Sequence, residues 1–165
     1  MWRSIEARLY YPALLVALTI PDICSALPLH RNIHVKKNHY IDFVNRYTSQ
    51  ENLGVTGEEC YQLRGGIVHR ANIAGHSSFK ETHVIFTIPE SESGLHGFTL
   101  DAGEKSASLL DLKVFCREME SAALRWYAAN KEKPEVQNNL CSLIRLHPNG
   151  VSPFMEGAPV LASGS

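Results

Sequence analysis

An amphipathic stripe between residues 108 and 129 constrains the fold of this 165-residue chain more than any other feature. Its apolar side chains recur every three or four residues, at Leu112, Phe115, Met119, Ala122, Ala123 and Trp126. This spacing places them on one face of an α-helix of about six turns. Ser108 and Asp111 provide cap signals at its start. The stripe therefore predicts a long helix whose apolar face packs against other elements.

A second apolar run, residues 9–20, lies near the N-terminus. It is too short to span a bilayer, and we interpret it as a core helix within a helical segment, residues 2–26, that forms in two pieces. Pro12 suits a first helical turn, and Pro21 is expected to end or kink the helix. The run also resembles a signal peptide, although Glu6 lies in the region that should be basic. An exported protein is therefore an alternative.

Four further segments lie outside the predicted strands: a connector, two helices and a tail. Residues 28–38 read as a basic connector, and the next helix, residues 39–50, places four residues on one face: Tyr40, Phe43, Val44 and Tyr47. Pro134 suits the first turn of a last helix, with an apolar face formed by Val136, Leu140, Leu143 and Ile144. The tail from His147 is predicted to be extended.

Two segments between the helices favour strands. Residues 82–88 are rich in β-branched and aromatic side chains, and residues 95–101 give a plausible second strand. The sequence therefore predicts a mainly α fold: one helical domain over residues 1–165, resembling a bundle, with a small β-hairpin inserted at 82–101 and an extended tail at 147–165. A two-stranded hairpin is marginal alone and would have to pack on the helices.

The net charge and the motifs absent from the sequence argue against several classes of function. The formal net charge of −1 provides no overall basic field for nucleic acid, although a small local site needs none. Phosphate loops, nucleophile elbows and dinucleotide fingerprints are absent from the sequence. The four cysteines form no C-x-x-C pair and are predicted to be buried free thiols. The histidines lack metal-site spacing, so we predict neither a metal nor another cofactor.

The helix with the clearest start begins after Thr56. Thr56 and Glu59 fit the capping box, in which each side chain bonds the other residue's backbone amide. Cys60, Leu63 and Ile67 then form one apolar face. The last turn carries His69 and Arg70, where positive charge suits the helix dipole, and Gly75 marks the predicted exit.

Within this helix, the segment Tyr61-Gln-Leu-Arg64-Gly-Gly-Ile-Val-His69 resembles the R-x4-6-H motif of the HEPN superfamily, small helical domains that often cleave RNA. The longer run TGEECYQLRGGIVHR is similar to a "TGEDCYxLRCSLLHxG"-like block in a group of uncharacterised bacterial proteins. Their similarity extends to YPALLVALTIPDICSAL near the start and PNGVSPFMEGAPV near the end. The resemblance to HEPN proteins implies a homodimer that acts in bacterial stress or phage defence, and we predict a cytoplasmic location.

Arg64 and His69 have the side chains that metal-independent RNA cleavage requires. An imidazole exchanges protons near neutral pH, and a guanidinium stays charged beside a phosphate on which charge accumulates. Five residues on a straight helix, however, separate two side chains by about 140° around the axis. In HEPN enzymes, motifs from two subunits meet at one site, and the resemblance implies the same here. Gly65 and Gly66 would permit a close helix approach or a local unwinding.

Neighbouring residues provide candidate substrate contacts. Basic side chains that would bind phosphates are Arg31, Lys36, Lys37, Arg46, Arg70 and Lys80. Aromatic side chains that would stack on bases are Tyr40, Tyr47 and Tyr61. Of these, Arg70, Tyr61, Lys36 and Lys37 are the predicted substrate-binding residues. Solvated basic loops and a helical core face would explain the same residues equally well.

The alternative to a nuclease is a non-catalytic helical module that binds a partner protein or a nucleotide. Active HEPN enzymes often carry a polar residue after the arginine, where this chain has Gly65. Arg64 would then be a structural partner of Glu58 or another carboxylate, and His69 a helix-end histidine. Neither hypothesis predicts a contact with a membrane.

Overall fold

The computed structural model describes residues 1–30, 32–73, 82–88 and 95–164. The helices are α1 (Trp2–Glu6), α2 (Tyr10–Ala26), α3 (Lys37–Tyr47), α4 (Gln50–Leu53), α5 (Gly57–Arg70), α6 (Leu112–Asn130) and α7 (Pro134–Leu140). The strands are β1 (Thr82–Thr87), β2 (Phe98–Ala102), β3 (Lys105–Asp111), β4 (Ile144–His147), β5 (Gly150–Val151), β6 (Met155–Glu156) and β7 (Val160–Ser163).

Helix α6 lies at the centre of the fold and packs against α2, α3, α4 and β3. The predicted stripe is confirmed, because Phe115, Met119 and Trp126 are all buried. The helix begins at Leu112, where the Asp111 side chain accepts a 2.9 Å hydrogen bond from the Val114 amide. The start predicted at residue 108 is wrong, because backbone pairing holds that residue in β3.

The N-terminal segment forms two helices, as predicted, with a break at Arg8, whose φ is 57°. Helix α2 contributes Ala13, Leu14, Ala17 and Leu18 to the core. Pro21 does not end the helix, since α2 continues to Ala26, and a kink at Pro21 stays a prediction. Pro21 lacks one amide donor, but its side chain is buried, as is that of Cys24 in the next turn. No helix in the described parts of the chain is both long and apolar enough to cross a membrane.

The first two strands do not form the predicted hairpin. Strand β3 lies between them, in the order β1-β3-β2, parallel to β1 and antiparallel to β2. The serines and alanine that begin β3 give little β signal, so only the backbone pairing reveals it. Phe86 of β1 meets Phe115 edge-on at 5.3 Å, and this contact joins the sheet to α6.

The C-terminal region also differs from the expected extended tail. Strand β4 pairs antiparallel with β7, and β5 with β6. Helix α7 ends at Leu140, so the predicted helical face containing Leu143 and Ile144 is wrong. Ile144 begins β4 instead and is 74 % exposed. The chain turns after β4 at residues 148–149, and Gly150, the first residue of β5, has a φ of 86° that suits glycine.

These differences correct the predicted fold class. Helices make up 52 % of the structure, and strands about 20 %, divided among three small sheets. The fold is therefore an α/β mix and not a mainly α bundle with one inserted hairpin. The error arises because each sheet depends on pairing between distant segments, which local patterns describe poorly.

The four cysteines are free, and Cys24, Cys60 and Cys116 are buried, as predicted. The predicted burial of Cys141 is wrong, because this residue follows the end of α7 and is exposed. Burial raises the pKa of each of the three buried thiols to about 12. Because the thiolate is the reactive form, we expect a thiol reagent at pH 8 to label Cys141 alone in the native protein. Mass spectrometry should find one label before unfolding and four after it, and rapid native labelling of Cys60 would contradict the described packing.

Candidate functional site

Helix α5 carries the predicted motif, and its local structure follows the sequence closely. The capping box is present: Thr56 Oγ1 accepts from the Glu59 amide at 3.3 Å, and Glu59 Oε2 accepts from the Thr56 amide at 2.8 Å. Leu63 and Ile67 are buried against the core, as expected. The helix ends at Arg70, and the predicted exit at Gly75 lies outside the described residues.

Arg64 pairs with Asp22 of α2 and not with Glu58. Its Nε donates to Asp22 Oδ2 at 2.7 Å, and the two side chains are 23 % and 21 % exposed. Within the described residues, the guanidinium forms an ion pair with Asp22 only, through Nε. Its two Nη atoms form no hydrogen bond with those residues. Asp22 therefore orients Arg64 through one edge and leaves the other edge available for an anion.

An aromatic ring lies between Arg64 and a second cation. The centroid of the Tyr61 ring is 5.9 Å from Arg64 Cζ and 5.8 Å from Lys37 Nζ. Lys37 also forms a 2.5 Å ion pair with Glu58. We call Asp22, Lys37, Glu58, Tyr61 and Arg64 the Tyr61 cluster. The cluster contains two cations and two carboxylates, so its formal net charge is zero. Both cations lie close to the Tyr61 ring.

Tyr40 packs edge-on against the Tyr61 ring, with the two ring centroids 5.4 Å apart. Tyr40 is completely buried, and its hydroxyl donates to the Leu18 carbonyl at 3.0 Å. Burial, together with nearby Cys60 and Asp22, raises the pKa of Tyr40 well above its usual value, while Arg64 opposes this shift. Tyr40 is thus a support for the cluster, and the suggestion that it stacks on bases is wrong.

His69 lies on another face of α5, as the helical spacing requires. The helix is continuous from Gly57 to Arg70, so the suggested unwinding at the glycine pair does not occur. Five residues then place His69 about 140° around the axis from Arg64. His69 is exposed and belongs to a row at helical spacing with Glu58, Gln62 and Gly65, which we call the α5 stripe. One chain therefore does not bring Arg64 and His69 together.

The other predicted contacts are divided between the cluster and the rest of the surface. Lys37 and Tyr61 belong to the Tyr61 cluster, while Lys36 and Arg70 are exposed and no recorded contact joins them to it. Arg46 contacts Tyr47, 5.7 Å from its ring centroid, in a different cleft. Arg31 and Lys80 lie outside the described residues.

Asp22 is the residue that sequence reasoning missed. It lies 42 positions before Arg64, so no local pattern connects them. A signal was nevertheless present, because Asp22 is the only charged residue in the otherwise apolar helix α2. A lone carboxylate on a core helix usually has a buried or half-buried partner.

The two glycines of the motif differ in their surroundings. A Cβ added to Gly65 would meet no heavy atom within 4 Å, whereas one added to Gly66 would lie 2.5 Å from the carbonyl oxygen of Asn72. Gly66 therefore permits the chain to fold back at the end of α5. Gly65 instead leaves a gap in the side-chain surface at the middle of the α5 stripe, where another backbone could approach closely.

Alanine substitutions at these positions should therefore have opposite effects on stability. Gly65→Ala is expected to raise the free energy of unfolding by up to about 1 kcal/mol through helix propensity. Gly66→Ala is expected to lower it by about 1–2 kcal/mol, because the contact with Asn72 outweighs that gain. Urea unfolding of the two variants measures the difference. Equal stabilisation by both substitutions would contradict the described end of α5.

No group of three or more histidine, cysteine or acidic side chains that could hold a metal is found within the described ranges.

Comparisons with known proteins provide no family for the chain. No protein-family model matches it, and no curated protein or solved structure does either. The function is therefore inferred from the residues of the chain themselves.

Proposed function

We propose that this chain is a metal-independent RNA endonuclease whose active site forms between two copies that meet across the α5 stripe. The observation that carries the proposal is the arrangement of the motif on α5. Arg64 is oriented by Asp22 on one side of the helix, His69 is exposed on another, and Gly65 lies open between them. Two apposed copies can supply an arginine from one chain and a histidine from the other.

The chemistry needs only these two groups. The His69 imidazole takes the proton from a ribose 2′-hydroxyl, and the 2′-oxygen attacks the adjacent phosphorus. The bond from phosphorus to the 5′-oxygen breaks, and the imidazolium returns the proton to that oxygen. The products are a 2′,3′-cyclic phosphate and a 5′-hydroxyl. The available edge of Arg64 stabilises the charge that accumulates on the phosphate oxygens.

The Tyr61 cluster would hold the RNA near this site. Lys37 and Arg64 are positioned for phosphates, and part-exposed Tyr61 offers an edge or face to a base. A phosphate would bind the available edge of Arg64, while Asp22 keeps its contact with the other edge, and would replace the contact that Glu58 now makes with Lys37. The proposal includes a homodimer and a cytoplasmic location.

One observation favours a second function, a non-catalytic module that binds a partner protein or a nucleotide. Asp22 and Glu58 already neutralise both cations of the Tyr61 cluster. Such balanced pairs also occur in structural roles. In that case the α5 stripe would be a surface for a partner, and neither Arg64 nor His69 would act on RNA.

The products of cleavage test the proposal. Purified protein is incubated with a labelled single-stranded RNA in EDTA, and the new ends are identified by mass spectrometry. We expect 2′,3′-cyclic phosphate and 5′-hydroxyl ends. The same strand with a single 2′-deoxynucleotide at the main cleavage position should remain intact there. Cleavage that persists at the deoxynucleotide, or that requires added metal, would contradict the mechanism.

A further inference from the structure

A cleft on the other side of α3 carries chemistry that the nuclease proposal does not use. It has a volume of about 200 Å³ and lies between α3, the end of α2 and α6. Phe43 and Trp126, both almost completely buried, form its apolar floor. Tyr40 and Val44 of α3 pack into the core toward α5 and do not line the cleft, and none of the cleft's lining residues belongs to the Tyr61 cluster. The cleft is therefore separate from the Tyr61 cluster.

The rim of the cleft carries two opposite charges. Asp42 and Arg46 are one helical turn apart on α3, and both are exposed. Neither forms an ion pair within 4.0 Å with the other or with any residue in the described parts of the chain. Arg46 instead lies 5.7 Å from the centroid of the Tyr47 ring. A carboxylate and a guanidinium thus lie one helical turn apart at the rim of a cleft with an apolar floor.

His39 and Ser25 complete the polar edge of the cleft. His39 Nδ1 accepts from the Lys36 amide at 3.3 Å, so in its neutral form the ring carries its proton on Nε2. The Ser25 hydroxyl donates to the His39 carbonyl at 3.0 Å, and this bond joins α2 to the start of α3. These contacts fix the wall of the cleft next to the charged pair.

We infer that this cleft binds a small zwitterion with an apolar side chain, the chemistry of a free α-amino acid. The ligand's ammonium would contact Asp42, its carboxylate would contact Arg46, and its side chain would lie on the floor formed by Phe43 and Trp126. A cleft of about 200 Å³ is smaller than the sites that hold drug-sized ligands, which favours a ligand of this size. The site would be independent of the RNA-cleaving function.

Calorimetric titration of the full chain with L-phenylalanine and L-leucine tests the inference. Two analogues each lack one charge: 2-phenylethylamine has no carboxylate, and 3-phenylpropionate has no ammonium. Both should bind at least about tenfold more weakly than L-phenylalanine, because each loses one charged hydrogen-bond partner. Asp42→Asn and Arg46→Gln should weaken L-phenylalanine binding by a similar factor. Lys113→Gln, which changes an exposed cation at the far end of α6, should leave it unchanged.

Three results would overturn the inference. These are no heat from either amino acid at millimolar concentration, equal binding of L-phenylalanine and the two analogues, and unchanged binding by both folded rim variants. The outcome is separate from RNA cleavage, since the rim residues lie outside the Tyr61 cluster and the α5 stripe. Cleavage without amino-acid binding would overturn only this inference, and binding without cleavage would support it while contradicting the nuclease proposal.

Discussion

His69→Ala is expected to lower the rate of RNA cleavage by about 10²–10⁴-fold, because the variant lacks the group that moves the proton. His69 is exposed at the last turn of α5, so its removal should leave the free energy of unfolding within about 0.5 kcal/mol of the wild type. His83→Ala removes another exposed histidine and serves as the matched control. Equal rates for all three proteins would contradict a catalytic role for His69.

Arg64 requires a more careful comparison, because its loss also breaks the ion pair with Asp22. Arg64→Ala should reduce cleavage by a similar factor, and Arg64→Lys should recover only part of the rate, since an ammonium lacks the planar fork of donors. Asp22→Asn removes the same ion pair but keeps the guanidinium. It should therefore cleave faster than Arg64→Ala at equal stability. Equal losses in both variants would indicate that the ion pair, and not the guanidinium, matters.

Phe115→Ala is the substitution expected to destabilise the fold most, by about 3–5 kcal/mol. Phe115 is completely buried on α6, and its ring meets Phe86 edge-on. Removing it would leave a cavity where the three-stranded sheet joins the helices. Phe98→Ala is the matched control, since Phe98 is 55 % exposed on β2 and its loss should cost less than about 1 kcal/mol. Urea unfolding that gives similar values for the two variants would contradict the described core.

Much of the helical structure could be predicted because its signals are local. Thr56 and Glu59 fix the start of α5, and the stripe ending at Trp126 identifies the buried face of α6. These features depend on residues three or four apart. Pro21 does not end α2, because burial of the surrounding helix overrides the local preference of proline.

The sheets could not be predicted in the same way. Strand β3 pairs with β1 more than 20 residues earlier, for example through Ile85 and Leu109, and its first residues have weak strand preference. Nothing in either segment specifies a parallel register with the other. Strand β7 likewise pairs with β4 across the intervening turns. Local patterns indicated some of these strands but not their partners.

Only the local part of the candidate site could be predicted, because the rest depends on contacts between distant segments. The angular separation of Arg64 and His69 follows directly from helical geometry, and the continuous helix preserves it. The pairing of Arg64 with Asp22 depends on how α2 packs against α5, which the sequence does not specify. Whether two copies meet across the α5 stripe depends on a second chain and therefore stays a prediction.

Mixing two inactive variants tests the central claim most directly. Arg64→Ala and His69→Ala are combined in equal amounts, allowed to exchange subunits, and assayed for RNA cleavage in EDTA. Native mass spectrometry of differently tagged chains measures how many mixed dimers form. In a shared site, a mixed dimer retains Arg64 from one copy and His69 from the other.

The proposal predicts that cleavage appears in the mixture although neither variant alone is active. The rate should rise with the fraction of mixed dimers, to no more than about one quarter of the wild-type rate when exchange is random, because about half of the dimers are then mixed and each has one intact site of two. A mixture that exchanges fully and remains as inactive as its two parents would contradict an active site shared between two copies.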